Sequence, residues 1–415
     1  MTALDRHYGT LEGSLTIEED DAYGALVVPN GNSTRPVHRW FHLKESFSAN
    51  LFERVLKDTG LDRRRTLTLL DPFAGVGTSL VSALEWAGQN DDRAVRGVGI
   101  EQNPFLQMVA ASKVDAMTGG VDDFAEYRTR VLRAHERHRF SPAPAPPLST
   151  FANTKYFRAG DLAELLRLKA AVDGLETSAG SKTLARMCLA ACVEPVSGLR
   201  RDGRALRYEP RKVRAQPTAE FKRRTAQVAE DLSTTASRSE ARVLLADGRH
   251  PATATGDAPA DLVLFSPPYP NNIDYTEVYK LENCFLGFIS SATTFREQRL
   301  RTVRSHPSVL FPPEYEVSEN GYKSDFDRLV DPILEAVPVG RYEHQRRRLV
   351  RGYFDDMLAA FVRLRPVVKT GGWVVYVVGN SAHGHGENGL VVAADIVMGA
   401  LAEAAVANGA EIYCN

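Results

Sequence analysis

Four consecutive units within residues 66–101 constrain this chain more than anything else in it. TLTLLD (66–71) is a short apolar segment of strand character, and DPFAGVG (71–77) follows it as a glycine turn. SLVSALEWAG (79–88) then has the make-up of a helix, and RGVGIE (96–101) reads as a second strand ending on an acid. Parallel neighbours need a long crossover between them, so strand, turn, helix and strand open a parallel sheet with helices on its faces. Further strands are expected at ARVLLA (241–246), DLVLF (261–265) and WVVYVVG (373–379). The last is apolar throughout, as suits a sheet buried on both faces. The expected fold class is α/β, a doubly wound Rossmann-like sheet with a mainly helical insert.

The remaining segments attach to that frame. Residues 1–34 form a polar lead-in, and ANLFERVLKDTG (49–60) carries helical spacing up to a glycine stop. SPAPAPPLS (141–149) reads as a linker, while DLAELLRLKAAVDGL (161–175) and KTLARMCLAACV (182–193) have helical periodicity. The division expected is a sheet-bearing domain of 35–115 and 240–415, interrupted by a helical insert at 116–239. A second insert, 285–345, contains SHPSVLFPPEYE.

No stretch of about 18 apolar residues occurs, so no membrane span is expected. The first twenty residues are acidic and lack a basic-then-apolar signal, and four scattered cysteines suit a reducing compartment; a cytoplasmic protein is expected. The net charge of -1 hides a local excess, with ten Lys/Arg against three Asp/Glu between Arg200 and Arg224. Arg346, Arg347, Arg348 and Arg351 make a second cluster. Such patches neutralise phosphates locally, although basic helices are also ordinary solvated faces.

In the glycine loop, Gly75 and Gly77 let the backbone turn sharply and approach a ligand, and the following helix directs its N-terminal amides there. A phosphate-binding loop needs Lys after its second glycine, where this chain has Thr78 and Ser79. A dinucleotide fingerprint needs a third glycine where Leu80 stands. An S-adenosylmethionine site has no pyrophosphate to cradle and tolerates both absences. Glu101 is positioned to accept both hydroxyls of an unphosphorylated ribose.

SPPY (266–269), directly after DLVLF, is the most informative tetrapeptide. Two prolines fix φ and remove two amide donors while leaving their carbonyls as acceptors. Ser266 Oγ and the Pro267 carbonyl can take the two N–H bonds of an exocyclic amine, freeing its lone pair to attack a methyl group. Tyr269 is expected to stack on a base extruded from its duplex.

Taken together, DPFAGVGT, GIEQNP and SPPYPNNIDYTEVYKLE resemble the amino-group DNA methyltransferases, and the Ser-first tetrapeptide resembles their cytosine-N4 branch. The likeness covers roughly 35–115 and 240–380. It implies S-adenosylmethionine as cofactor, held by Asp71, Phe73, Ala74, Gly75, Gly77 and Thr78. Glu101 would take the ribose, Gln102 and Asn103 are further cofactor-binding candidates, and Asp247 would lie near the adenine. Ser266, Pro267, Pro268 and Tyr269 would hold the target base. RPVHRWFHLKESFS (35–48) resembles the family's additional cofactor-contacting motif, with Trp40, Lys44 and Ser46 as candidates. The implied partner is double-stranded DNA, with base flipping. Target recognition is left to the two inserts, because Ser266 comes only nineteen positions after Asp247. Within SGLRRDGRALRYEPRK (197–212), read as a loop, Arg200, Arg201 and Arg204 are the expected DNA contacts. The family fold closes with an antiparallel strand pair, and ANGAEIYCN (407–415) reads as the start of its first strand.

Other readings have less behind them. Cys188 and Cys192, four apart without metal-ligand neighbours, are core thiols, and HGHGE (383–387) is a flexible loop; no metal is expected. No Pro-Cys pair supplies the nucleophile for methylation at carbon 5 of cytosine. Rivals are adenine-N6 methylation, RNA guanine-N2 methylation, a catalytically silent DNA-binding protein of the same fold, and an NAD-linked oxidoreductase.

Overall fold

A computed structural model describes residues 1–202, 205–232, 239–251, 259–271, 273–312, 314–315, 317–383 and 389–406. Five strands build its central sheet: β1 (Thr66–Asp71), β2 (Ala94–Glu101), β3 (Glu240–Leu245), β4 (Ala260–Phe265) and β5 (Val368–Tyr376). Their order is β3-β2-β1-β4-β5, and every neighbouring pair is parallel. All five expected strands are present within a few residues of where the sequence put them. The chain leaves β1 for β2 on one side and later places β4 on the other. A sheet that reverses its winding direction this way opens a crevice at the carboxyl ends of the strands flanking the reversal.

Alternation along the strands assigns the two faces. Leu67 and Leu69 of β1 and Leu262 and Leu264 of β4 point into one apolar cluster, whereas Leu70, Val263 and Phe265 point into the other. The first cluster is covered by α1 (Asn50–Asp58), α2 (Thr78–Gly88) and α3 (Pro104–Thr118), and extends without a break into the insert. There α4 (Phe124–Glu136), α5 (Ala159–Gly174), α6 (Ala179–Val196) and α7 (Pro217–Leu232) continue it. The insert is mainly helical, as its periodicity predicts. Its Pro-rich 141–149 segment is strapped down rather than free, with Ala143 N–H donating to Leu166 O at 3.0 Å. Cys188 and Cys192 are buried within the cluster.

On the opposite face lie α9 (Lys323–Glu335), α10 (Glu343–Leu364) and α11 (Ala394–Val406), which carry the second cluster, whereas α8 (Ala292–Arg301) packs Phe295 against the first. No described helix is long and apolar enough to cross a membrane.

Two expectations change. The 197–212 segment is not a plain loop, because Leu199–Arg201 pairs antiparallel with Leu206–Tyr208. Strand β5 is at the sheet edge among the described residues, half-buried apart from exposed Thr370 and Gly371, and borders a cleft of about 1420 Å³, open mouth included, together with Tyr23, Val27, Leu51 and Val55. An apolar run signals contact with apolar neighbours but does not tell a central strand from an edge one. Residues 384–387 of HGHGE and all of 407–415 lie outside the described residues, as does Arg204.

Candidate active site

Three loops converge where the sheet reverses. Pro72 and Phe73 follow β1, Gln102 and Asn103 follow β2 with Glu101 at its end, and Ser266 to Pro268 follow β4. All of them line one cleft of about 940 Å³, including its open mouth.

The glycine loop is shaped from within. Asp71 is buried, and its carboxylate accepts from Phe73 N–H at 2.9 Å and from the Ser79 hydroxyl. Burial raises its pKa to about 7. Ala74 N–H donates to Ile100 O at 2.9 Å and ties the loop to β2. Gly77 has φ of +81°, a left-handed value that costs a side chain dearly, and a Cβ there would press on Ala110 at 3.1 Å. Gly75 lines the cleft, while Ala74 and Thr78 are buried behind it. Phe73 and Gly75 therefore face the cleft, while Asp71, Ala74 and Thr78 shape the loop from behind.

Glu101 is the electrostatic centre of the cleft. Its Oε2 accepts from Gly75 N–H at 2.9 Å and its Oε1 from Asn103 N–H at 2.7 Å, so both oxygens are oriented and each keeps a lone pair. Burial, opposed by these amides, raises its pKa to about 7. Asn103 caps α3 through Phe105 N–H at 3.0 Å and accepts from Asn283 Nδ2 at 2.9 Å. Its own Nδ2 is buried without a partner, as is Glu45 Oε2; both residues are part of the cleft wall. An orphan donor and an orphan carboxylate oxygen flanking Glu101 suit a ligand that is polar at several points, as an amino acid joined to a nucleoside is.

The 35–48 segment contributes differently from expectation. Trp40 is buried and donates Nε1–H to Asp231 of α7 at 2.7 Å. Lys44 is exposed and borders a separate cavity, and Ser46 folds back onto Leu43 O at 3.0 Å. Leu43 and Glu45 are the residues that reach the cleft. What aims them is a set of anchors: Asp231 also accepts from Val37 N–H at 3.1 Å and Arg39 Nε at 3.1 Å. Lys113, buried on α3, donates Nζ to His38 O at 3.2 Å and Phe41 O at 3.0 Å. Burial lowers its pKa to about 7.

Asp247 is likewise spent inside the protein. Its carboxylate holds Arg249 at 2.7 Å, and Arg249 reaches on to Asp356 at 2.8 Å. The wall at this point is Gly248, where a Cβ would stand 1.8 Å from Pro72 O.

In the SPPY loop, Ser266 Oγ lies 3.0 Å from Tyr269 Oη, a hydrogen bond in which either can donate. The Tyr269 ring turns away from the cleft onto Gly379, whose added Cβ would meet it at 3.2 Å. Tyr275, six residues on, is in the cleft wall instead, and its hydroxyl sits 3.5 Å from Tyr269 N. His306, Val309 and Phe311 of the second insert form the facing wall. No sequence motif announces these, although HPSVLF is unusually apolar for a segment between prolines.

Of the arginines at 200–204, Arg200 is 67% exposed and lies 3.4 Å from Glu209. Arg201 turns inward, pairing with buried Glu282 beside the ring faces of Phe41 and Tyr279. The second arginine cluster is also engaged. Arg347 pairs with Glu343, Arg348 with the Phe311 carbonyl and Arg351 with Asp327.

Against known proteins, the chain is 23% identical to type II methyltransferase M.BsoBI of Geobacillus stearothermophilus, over 87% of this chain and 77% of that one. It is 24% identical to type II methyltransferase M.AvaI of Nostoc sp. and of Anabaena variabilis, over 91% of this chain and 80% of theirs. The chain is a relative of the type II methyltransferases. The kinship read from its motifs stands, and with it S-adenosylmethionine as the cofactor and a Rossmann-like methyltransferase sheet. No family model matches the chain, and no solved structure does. Among the described residues no group of His, Cys, Asp or Glu is arranged to hold a metal ion.

Proposed function

We propose that this methyltransferase acts on DNA and transfers the methyl group to the N4 amino group of cytosine in a duplex, with the target base turned out into the cleft. One observation carries the reading. Ser266 and the proline carbonyls after β4 share a single cleft with Glu101 and the glycine loop, so a base amine and a bound nucleoside can meet there.

Bound S-adenosylmethionine supplies an electrophilic methyl group carried on a sulfonium. Glu101, as a carboxylate, accepts the ribose hydroxyls with the lone pairs its amide partners leave open. Asn103 Nδ2 and Glu45 are the unpartnered polar groups at hand for the remaining polar ends, and Leu43 and Phe73 cover the apolar parts. When Ser266 donates its hydroxyl to Tyr269, both Oγ lone pairs stay open for an amine N–H, and the Pro267 carbonyl takes the second. Withdrawing both protons toward acceptors localises the nitrogen lone pair. Ser266 would take one amine proton as the nitrogen is methylated and pass it toward solvent. Positioning supplies much of the rate, since in-line approach removes an entropic barrier. Tyr275 and Phe311 offer the aromatic surface that Tyr269 was expected to give. Arg200 is retained as a phosphate contact.

The test is transfer of tritium from labelled S-adenosylmethionine to mixed duplex DNA, followed by nucleoside analysis. Label in N4-methylcytosine, abolished by Ser266→Ala, is expected. Label in N6-methyladenine would correct the base and keep the site. Absence of label from DNA while the protein binds cofactor would overturn the reading.

A further inference from the structure

The second insert carries a feature that the chemistry above does not use. Leu310 is 69% exposed, at the tip of the 305–312 segment. Its neighbours Val309 and Phe311 both line the cleft. A lone exposed leucine is ordinary in a soluble protein. This one differs in how firmly it is held. Phe311 N–H donates to Val309 O at 3.1 Å, closing a tight turn with Leu310 at its apex. Arg348 of α10 donates to the Phe311 carbonyl, and Arg299 of α8 donates to Ser308 Oγ at 2.7 Å. Arg299 also holds Asp274, itself in the cleft wall, at 3.0 Å, so turn and wall are braced by one side chain. Pro307 and Pro312 restrict the segment on both flanks.

We propose that Leu310 is a wedge that fills the space vacated in the DNA stack when the target base enters the cleft. The proposal rests on the base-methylation reading. Extruding a base leaves an apolar gap between its neighbours and costs unstacking, and proteins that distort duplexes offset this with an inserted Leu, Phe, Ile or Met. Leu310 is the exposed residue between two that line the cleft, so it stands on the rim that a duplex must approach for its base to reach Val309 and Phe311. A rigid turn is what the task requires, because a wedge that had to be ordered on binding would cost entropy of its own.

The test uses a synthetic duplex carrying the site mapped by the labelling experiment, with the target base either paired normally or set opposite an abasic position. Leu310→Ala is expected to slow single-turnover methylation of the paired duplex by about 10-fold or more, and to stay within about 3-fold of the unmodified protein on the unpaired target, where less unstacking remains. Leu310→Phe, which keeps an apolar wedge, is expected to retain most of the paired-duplex rate. Equal rates for Leu310→Ala and the unmodified protein on the paired duplex would overturn the proposal, as would an equal loss on both duplexes. If the unmodified protein methylates neither duplex, the underlying reading fails and the wedge falls with it. That outcome is told apart because Leu310→Ala then has no rate to be compared with.

Discussion

The two inserts are attached to the same sheet by different physics. The helical insert of 116–239 shares one apolar cluster with the sheet, and Leu165, Leu184, Leu189 and Val193 are fully buried in it. The second insert, where it covers the cleft, is fastened largely by charge. Arg304 reaches Asp355 at 2.6 Å and Asp356 at 2.8 Å, Arg304 N–H donates to Asp356 at 2.8 Å, and Ser318 N–H donates to Asp355 at 2.9 Å. Apolar contact is non-directional and adds up with area, so it suits a scaffold. Hydrogen-bonded ion pairs fix direction, so they suit a wall whose side chains must face one way. The first insert bears the load and the second does the aiming.

The largest effect should come from breaking the first attachment. Leu189→Ala is expected to cost about 2–5 kcal/mol of global stability, read as a lower urea midpoint. Asp356→Asn should cost about 1–3 kcal/mol by weakening its bonds to Arg249 and Arg304, and the loss should be local. Proteolysis within 302–318 would then accelerate while the urea midpoint moves less than for Leu189→Ala. If the two variants unfold identically, the contrast between scaffold and aimed wall is wrong.

A third measurement should be indifferent to either insert. On the proposed reading ribose hydroxyls donate to an ionised Glu101, whose pKa burial raises to about 7, so cofactor affinity should fall as pH drops. Between pH 8 and pH 6 one such group weakens binding by about 10-fold, measured by titration calorimetry, and Glu101→Gln should flatten the profile. The same slope in both insert variants would confine their effects to attachment. The smallest effect is expected from Trp40→Phe, which removes one of several bonds to Asp231 for about 1 kcal/mol and should change cofactor affinity less than about twofold. A collapse of affinity with the fold intact would restore Trp40 as a cofactor contact.

What could be read from the sequence follows the range of the interactions. The strands and the loops after β1, β2 and β4 were legible because they are local: each strand and the turn or end residue that closes it lie within about a dozen positions of one another. Residue roles set by distant partners were not. Arg201 looks like a free guanidinium until Glu282, 81 residues away, is folded beside it. Asp247 looks available until Arg249 is seen bridging it to Asp356. Tyr269 reads as a stacking partner for the base from its ring and its place in SPPY. A side chain in a turn has two sides to choose from, and packing on Gly379 decided this one.

Asp231 also sets an order of events in time. The turn that aims Leu43 and Glu45 donates its bonds to a carboxylate 191 to 194 residues later in the chain. At a synthesis rate of about 5–20 residues per second, the ribosome needs roughly 10–40 s to travel from one to the other. Ser266 follows only a few seconds behind. A nascent chain therefore holds its glycine loop early, yet lacks a finished cofactor wall until almost the moment the SPPY loop emerges.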